Sequence, residues 1–377
     1  MIKWKKMTVG DLCDTISDTY HGEDEKVVLI NTSDVLEGKV LNRQAVVNKN
    51  LKGQFKKTFK RNDILYSEIR PANKRYAFVD FEDTENYIAS TKLMVLRSRE
   101  DIVRPRFLLS FLSSKSVLKE LQQLAETRSG TFPQITFSSE LAPIPINIPD
   151  LETQDRIVEI LDVLERKIST NTEINKNLEQ QANTIYQSFF SPKSGIQGKR
   201  VTLDEYCSIF TGKKNANASV DGGKYKFFTC APDALQIDSY IFDGNAIIVS
   251  GNGAYTGRTR FYSGRFDLYQ RTYACTLLDG VNPDYIFPLY WFVKLELSKK
   301  IMGGTRGSAI PYIVINDLAK FEFTYSKEIF DAYMPLFKSL TGSIRTNELE
   351  NERLAELRDT LLPQLMSGKL DVSSINL

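Results

Sequence analysis

The sequence holds few of the residues that most enzyme sites require. Its 377 residues include one histidine, His21, and four cysteines, and its formal net charge is only +2. One histidine excludes a histidine-rich metal site and paired imidazoles, and it allows a Ser-His-Asp triad only if His21 serves in it. We expect His21 to lie in a surface loop, and we predict no metal site.

The cysteines are scattered and form no C-x-x-C pair: Cys13, Cys207, Cys230 and Cys275. In a chain of this length, they fit a reducing compartment and a fold without disulfides. The opening MIKWKKM lacks the apolar segment of a signal peptide, and no run of about 18 apolar residues exists. We therefore expect a cytoplasmic protein that spans no membrane. We also expect Cys13 and Cys207, which lie near the start of each half of the chain, to be core residues.

Three segments imitate catalytic motifs, and each departs from its motif. Residues 282–285 (NPDY) lack the second proline of the amino-methyltransferase motif. Residues 149–150 (PD) and 165–167 (ERK) have a nuclease-like spacing, but the acid falls on a helical pattern. Residues 251–259 (GNGAYTGRT) have the wrong spacing for a phosphate loop. No nucleophile, base and oxyanion donor come together, so we predict no catalytic residue.

Segments of the first half of the chain recur, in the same order, in the second half. The matched pairs are 7–13 (MTVGDLC) with 201–207 (VTLDEYC), the segment from Ser129 (SGTFPQITFSSELAPIPI) with that from Gly307 (GSAIPYIVINDLAKFEF), and the helical pattern IxxNxxxNxxL at 168–178 with 344–354. Order and spacing predict two halves, each a globular region followed by a long helix.

Both long helices have less polar positions that alternate in steps of four and three, which is typical of a coiled-coil seam. The seam of the first helix is Ile157, Leu161, Leu164, Ile168, Asn171, Asn175, Leu178, Ala182, Ile185 and Phe189. The seam of the second is Tyr333, Phe337, Leu340, Ile344, Asn347, Asn351, Leu354, Arg358, Leu361 and Leu365. At about 1.5 Å per residue, each helix spans roughly 55 Å.

Two adjacent asparagine layers occur at matching places in both seams. A polar layer usually costs stability and fixes the register or the partner. If a pseudo-twofold axis relates the halves, the helices run antiparallel and Asn171 faces Asn351 while Asn175 faces Asn347. The alternative is that the asparagines do not pair and occupy the seam only because it is partly exposed to water.

The globular halves combine short β-rich runs at 60–97 and 240–278 with short helices at 104–125 and 283–302. The predicted class is α+β, with two α+β domains separated by two long helices that form an antiparallel coiled coil. The predicted division is 1–150 for the first domain, 151–192 for the first long helix, 193–325 for the second domain, 326–370 for the second long helix and 371–377 for a tail.

The small net charge hides a division by segment. Residues 1–150 and 198–325 each carry a net +3, whereas residues 151–197 and 326–377 each carry a net −2. Residues 48–61 hold six cations and no anion. In the second domain, arginines alternate with aromatic residues between 255 and 271, a composition suited to phosphate and base contacts.

The chain resembles the specificity subunit of type I restriction–modification systems. The residues that carry the resemblance are LETQDRI at 151–157, which enters the first long helix, and LLPQLMSGKL at 361–370, which ends the second. The segments 129–135 and 307–313 are also similar to the segments that close the family's domains. The chain departs from the pattern at 325–330, which lacks the proline and glutamine found at Pro149 and Gln154, where the first long helix begins.

The resemblance implies that each globular half is a target recognition domain reading one part of a split sequence in double-stranded DNA. The paired helices would set the spacing and dock two methyltransferase (modification) subunits, and restriction/translocase subunits would join them. It implies no cofactor on this chain, with S-adenosylmethionine, ATP and Mg expected on the partner subunits.

Loops rich in Arg, Asn and Gly are the predicted DNA-binding sites, because glycine lets the backbone approach a groove. The predicted residues are Arg70, Asn73, Lys74, Arg75, Arg128, Ser129 and Thr131 in the first half and Asn252, Tyr255, Arg258, Arg260, Arg306 and Ser308 in the second. The main alternative is a tandem coiled-coil interaction scaffold that binds no nucleic acid, and a remoter one is an enzyme fragment.

Overall fold

The protein is described by a computed structural model that covers residues 4–49, 51, 53–128, 132–191, 194–195, 197–302 and 312–372. The chain divides into two compact units. The first unit is Met1–Ser169 with Asn351–Leu377, and the second is Thr170–Glu350. No helix among the described residues is both long and apolar enough to cross a membrane.

The first 190 residues begin with short strands and end in a long helix. The strands are β1 (Lys5–Thr8), β2 (Cys13–Ile16), β3 (Lys26–Ile30), β4 (Val35–Leu36), β5 (Lys39–Val40), β6 (Ala45–Val47), β7 (Phe55–Lys57), β8 (Ile64–Ser67), β9 (Tyr76–Phe78), β10 (Tyr87–Ser90), β11 (Leu93–Ser98) and β12 (Pro145–Ile148). The helices are α1 (Val9–Leu12), α2 (Pro105–Leu112), α3 (Lys115–Arg128) and α4 (Leu151–Phe189). The single range 104–125 predicted from the sequence therefore holds two helices.

The rest of the chain repeats this order. Its strands are β13 (Lys199–Thr202), β14 (Cys207–Thr211), β15 (Tyr225–Phe228), β16 (Leu235–Ile237), β17 (Phe242–Ser250), β18 (Thr259–Leu268), β19 (Thr272–Leu277) and β20 (Glu322–Tyr325). Its helices are α5 (Ile286–Met302), α6 (Ile315–Ala319) and α7 (Lys327–Met366).

The first unit is built on two four-stranded sheets with strand orders β2-β11-β8-β9 and β6-β3-β10-β7. Strand β8 is buried on both faces, and its side chains alternate between two cores. Leu65 packs between the sheets, whereas Ile64 and Tyr66 pack with Phe107 of α2 and Leu121 of α3. Because both faces are buried, the side chains of β8 do not alternate between a core and solvent.

The second unit has one six-stranded sheet of order β14-β19-β17-β18-β15-β16. Ile247 and Val249 of β17 face a core centred on Trp291 of α5, and Ile248 faces a smaller core on the other side. The Trp291 indole donates a hydrogen bond of 2.9 Å to the Thr341 hydroxyl. The buried donor is thereby satisfied.

The two units share one arrangement of strands. The order β2-β11-β8-β9 corresponds to β14-β19-β17-β18, and the small sheet β1-β12 corresponds to β13-β20. Cys13 and Cys207 open the equivalent strands β2 and β14, and burial raises the pKa of each thiol to about 12. Both cysteines are core residues, as predicted, and the mixed α+β class is confirmed.

The two long helices keep the predicted seam on their less exposed side. All twenty predicted seam positions are buried or half-buried. Within the second unit, Asn347 donates a hydrogen bond of 2.8 Å to Asn175, and the ring centroids of Phe189 and Tyr333 lie 4.3 Å apart. Residues later in α4 contact residues earlier in α7, so these helix segments are antiparallel.

Asn171 is 2% exposed and donates a hydrogen bond of 2.7 Å to the Glu350 carboxylate. Its predicted partner, Asn351, belongs to the other unit. That pairing and the pseudo-twofold axis both stay predictions.

The start of α4 is fixed by a buried amide. Gln154 is fully buried; its amide nitrogen donates to the carbonyls of Ile102 and Pro149 at 3.0 Å each, and its oxygen accepts from the Arg104 amide at 2.8 Å. The Asp150 carboxylate caps the helix by accepting from the Thr153 amide, and that bond lowers the pKa of Asp150. The segment from Pro149 to Gln154 thus fixes where α4 begins.

Candidate nucleic-acid interface

In the first unit, three segments meet where β8 ends. The Glu68 amide donates to the Lys92 carbonyl at 3.0 Å, and the Ile135 amide donates to the Glu68 carbonyl at 2.9 Å. Ile69 forms an antiparallel bridge with Gln134. We call this arrangement, made of residues 67–70, Lys92 and 133–135, the loop frame of the first unit.

The second unit has the same frame where β17 ends. The Gly251 amide donates to the Arg271 carbonyl at 2.8 Å, and the Ile313 amide donates to the Gly251 carbonyl at 2.9 Å. Asn252 forms an antiparallel bridge with Tyr312. The loop frame of the second unit is therefore made of residues 250–253, Arg271 and 312–313.

The turn that leaves the first frame is backbone-strained at two positions. Arg70 and Lys74 flank a short 3₁₀ turn at Pro71–Asn73, and both have left-handed backbones, with φ of 46° and 53°. Residues other than glycine adopt this conformation at a cost, and such residues concentrate at functional sites. The turn holds the Arg70 side chain at the surface.

The five predicted DNA-binding residues of the first unit that are described differ in their contacts. The side chains of Arg70 and Asn73 are exposed and form no hydrogen bond or ion pair with any described residue. Lys74 pairs with Glu37 at 2.7 Å. Arg75 donates to the carbonyl of Ser33 at 3.0 Å and to that of Val35 at 3.3 Å, and Arg128 pairs with Glu140 at 3.2 Å. Arg70 and Asn73 are thus the better placed to meet a ligand.

In the second unit, the predicted residues surround the turn between β17 and β18. Tyr255 is 46% exposed, and the exposed Arg258 guanidinium lies 5.7 Å from its ring centroid. Arg260 donates to the carbonyl of Ala231. Burial, together with the nearby Arg258 charge, lowers the pKa of Arg260. The outer part of the turn is therefore cationic and aromatic.

Four predicted residues, Ser129, Thr131, Arg306 and Ser308, lie outside the described residues. The frames also contain two equivalent positions that the sequence analysis did not predict as site residues. One is Lys92 in the first unit and Arg271 in the second, and the other is Gln134 in the first and Tyr312 in the second. The signal that could have found the second pair is the match of Pro133 with Pro311, since it aligns the residues that follow them.

The basic run at 48–61 is partly engaged within its own unit. The Lys57 ammonium donates to the Leu93 carbonyl at 2.8 Å, and burial lowers its pKa. Arg61 forms an ion pair with Glu82. A run of cations in the sequence therefore overstates the positive charge that is available to a ligand.

Comparison with known proteins finds similarity to one family of DNA-specificity proteins. Residues 1–180 match the model of the type I restriction modification DNA specificity domain. The chain is 42% identical over 223 residues to the type I restriction enzyme HindI specificity subunit of Haemophilus influenzae, covering 59% of this chain and 48% of that protein. It is 34% identical over 185 residues to the EcoDI specificity subunit of Escherichia coli, covering 48% of this chain and 35% of that protein.

The chain thus spans at most about half the length of the curated relatives it matches. A solved S subunit of a type I restriction–modification system from M. genitalium has the same fold, with a TM-score of 0.53 at 16% identity over 97% of this chain and 96% of that one. Over 48–59% of its length, the chain is therefore similar to type I restriction–modification specificity subunits.

Proposed function

We propose that this chain is the DNA sequence-recognition subunit of a type I restriction–modification complex and that each globular region reads one half of a split target. The observation that carries the proposal is the pair of equivalent loop frames, each beside a turn with an exposed arginine: Arg70 in one unit and Arg258 in the other. A tandem interaction scaffold has no need for cationic loops at equivalent places.

The physical chemistry of the loops suits this role. Arginine anchors phosphates through charge and reads guanine through two parallel hydrogen bonds. The two turns differ in sequence, PANK at 71–74 and GAYTG at 253–257, although they leave equivalent strands. One scaffold with two different sets of side chains fits the recognition of two different half-targets.

The proposed partners are double-stranded DNA, two methyltransferase (modification) subunits and restriction/translocase subunits. The relatives bear names of type I restriction enzyme specificity subunits, which supports placing catalysis on other subunits. We propose that this chain is itself non-catalytic, binds no cofactor and acts in the cytoplasm. S-adenosylmethionine, ATP and Mg would then be bound by its partners.

The test is to map methylated adenines in the genome of cells that express this chain together with its methyltransferase subunit. We expect methylation at a split motif of two fixed half-targets. Replacing residues 1–150 with the corresponding region of another family member should change one half-target and leave the other unchanged. An unaltered motif after that exchange would contradict the proposal and favour the scaffold.

A further inference from the structure

The side chains at one position of the loop frames are free to vary without altering the frame. In each frame, hydrogen bonds between main-chain atoms join the segments. These bonds do not depend on which side chain follows the proline at 133 or 311. A rigid backbone that tolerates different side chains is what a sequence-reading position requires.

In the first unit, this position holds Gln134 with its amide oriented. The side-chain oxygen of Gln134 accepts a hydrogen bond of 3.1 Å from the Lys92 ammonium, which also bonds the Glu68 carboxylate at 3.3 Å. Because lysine has only donors, the bond fixes which end of the amide faces Lys92. The amide nitrogen then points elsewhere, and the oxygen keeps a second lone pair.

An oriented glutamine amide has a preferred base. Its nitrogen donates to N7 of adenine while its oxygen accepts from the N6 amino group, so that one side chain makes two bonds to one base. Gln134 is half-buried, and no described residue accepts a hydrogen bond from its amide nitrogen. The amide therefore retains both atoms needed for such a contact.

In the second unit, the same position holds Tyr312, which is 41% exposed. Arg271 occupies the place of Lys92, is exposed and forms no ion pair or side-chain hydrogen bond with a described residue. The residue equivalent to Glu68 is Gly251, where an added Cβ would lie 2.3 Å from the Arg271 carbonyl oxygen. The frame of the second unit therefore combines the Tyr312 hydroxyl with the Arg271 guanidinium, and Gly251 supplies no carboxylate where the first unit has Glu68.

We propose that the side chain at this shared position, Gln134 in the first unit and Tyr312 in the second, contacts a base of the bound DNA and sets which base is accepted there. The inference rests on the proposed function and deepens it, since it names a position that determines specificity in each half-target. Lys92 is a positioning residue for Gln134. Adenine is the base that we expect opposite Gln134.

The experiment is to map methylated motifs for the full chain with its methyltransferase subunit, comparing the wild type with Gln134→Ala, Gln134→Glu and Tyr312→Ala. We expect Gln134→Ala to relax one base of one half-target, with discrimination there falling roughly tenfold or more. Gln134→Glu has only acceptors, so it should shift that base towards cytosine, whose N4 amino group donates. Tyr312→Ala should relax one base of the other half-target.

Controls separate a base contact from a structural role. Gln123→Ala removes an exposed glutamine of α3 in the same unit, and it should leave the motif unchanged. Urea unfolding of each purified variant reports loss of fold. A motif that is unchanged in all three variants, or methylation that falls evenly at all sequences, would overturn this inference and leave the proposed function standing. A wild-type chain that specifies no motif would overturn both.

Discussion

At the scale of single residues, function and stability make opposing demands at Arg70. Its left-handed backbone, with φ of 46°, costs about 1–2 kcal/mol for a residue with a Cβ. Its side chain is exposed and bonds no described residue. No contact of the side chain within the protein offsets the backbone strain, and such strained residues concentrate at ligand-binding sites.

Two substitutions at Arg70 separate these demands. We expect Arg70→Gly to be more stable than Arg70→Ala by about 1 kcal/mol, because glycine adopts the left-handed conformation without strain. Both variants should lose DNA affinity to the same extent, by about 1–3 kcal/mol if the arginine reaches a base. Urea unfolding and DNA titration at one fixed salt concentration measure the two effects. An alanine variant as stable as the glycine variant would contradict the account.

Gly368, two residues beyond the end of α7, combines a left-handed backbone with a close approach to Trp4. Its φ is +68°, and an added Cβ would lie 2.5 Å from the indole nitrogen of Trp4. We expect Gly368→Ala to lower the free energy of unfolding by about 1–3 kcal/mol. The matched control is Gly342→Ala in the same helix, where an added Cβ meets nothing within 4 Å. That change should raise stability by about 0.5–1 kcal/mol, and equal effects of the two substitutions would refute this explanation.

At the scale of elements, the long helices were the most predictable part of the chain. A helix longer than 35 residues has about ten seam positions, so its periodicity is clear despite local exceptions. Pro335 and Pro363 are two such exceptions, because both lie within α7. The strands were less predictable. In β8 both faces are buried, which removes the alternation that marks a strand.

The asparagine layer within the second unit is testable by a double-mutant cycle on Asn175 and Asn347. Their amides share a hydrogen bond of 2.8 Å in a half-buried seam. We expect each single change to alanine to cost about 1 kcal/mol, with a coupling energy of about 0.5–1.5 kcal/mol. A parallel cycle on Asn177, which is exposed on the same helix, with Asn347 should show no coupling. Absence of coupling between Asn175 and Asn347 would mean that these asparagines only tolerate a wet seam.

At the scale of the whole molecule, the sequence predicts two similar halves but not the loop frames. Matching motifs such as those at Cys13 and Cys207 reveal the repeat directly. The frames join Glu68 to Lys92 and Ile135, residues that lie 24 and 67 positions away. Contacts at such separations depend on how sheets and loops pack, which no local pattern encodes. Several predicted arginines are bound internally for the same reason.

The nearly neutral net charge is therefore a poor guide to the available charge. Arg128 is paired with Glu140, and Lys74 is paired with Glu37. Counting the charges of each segment separates the basic domains from the acidic helices. Only the structure shows which cations are paired within the fold. Arg70, by contrast, is exposed and has no side-chain partner among the described residues.

The central claim is that the two units read two half-targets independently. The most direct measurement is the methylated-adenine motif specified by the full chain with its methyltransferase subunit, compared for Arg70→Ala and Arg258→Ala. We predict that Arg70→Ala weakens or relaxes one half-target only, and that Arg258→Ala affects only the other. If either substitution changed both halves alike, or if neither changed the motif or the level of methylation, the claim would be contradicted.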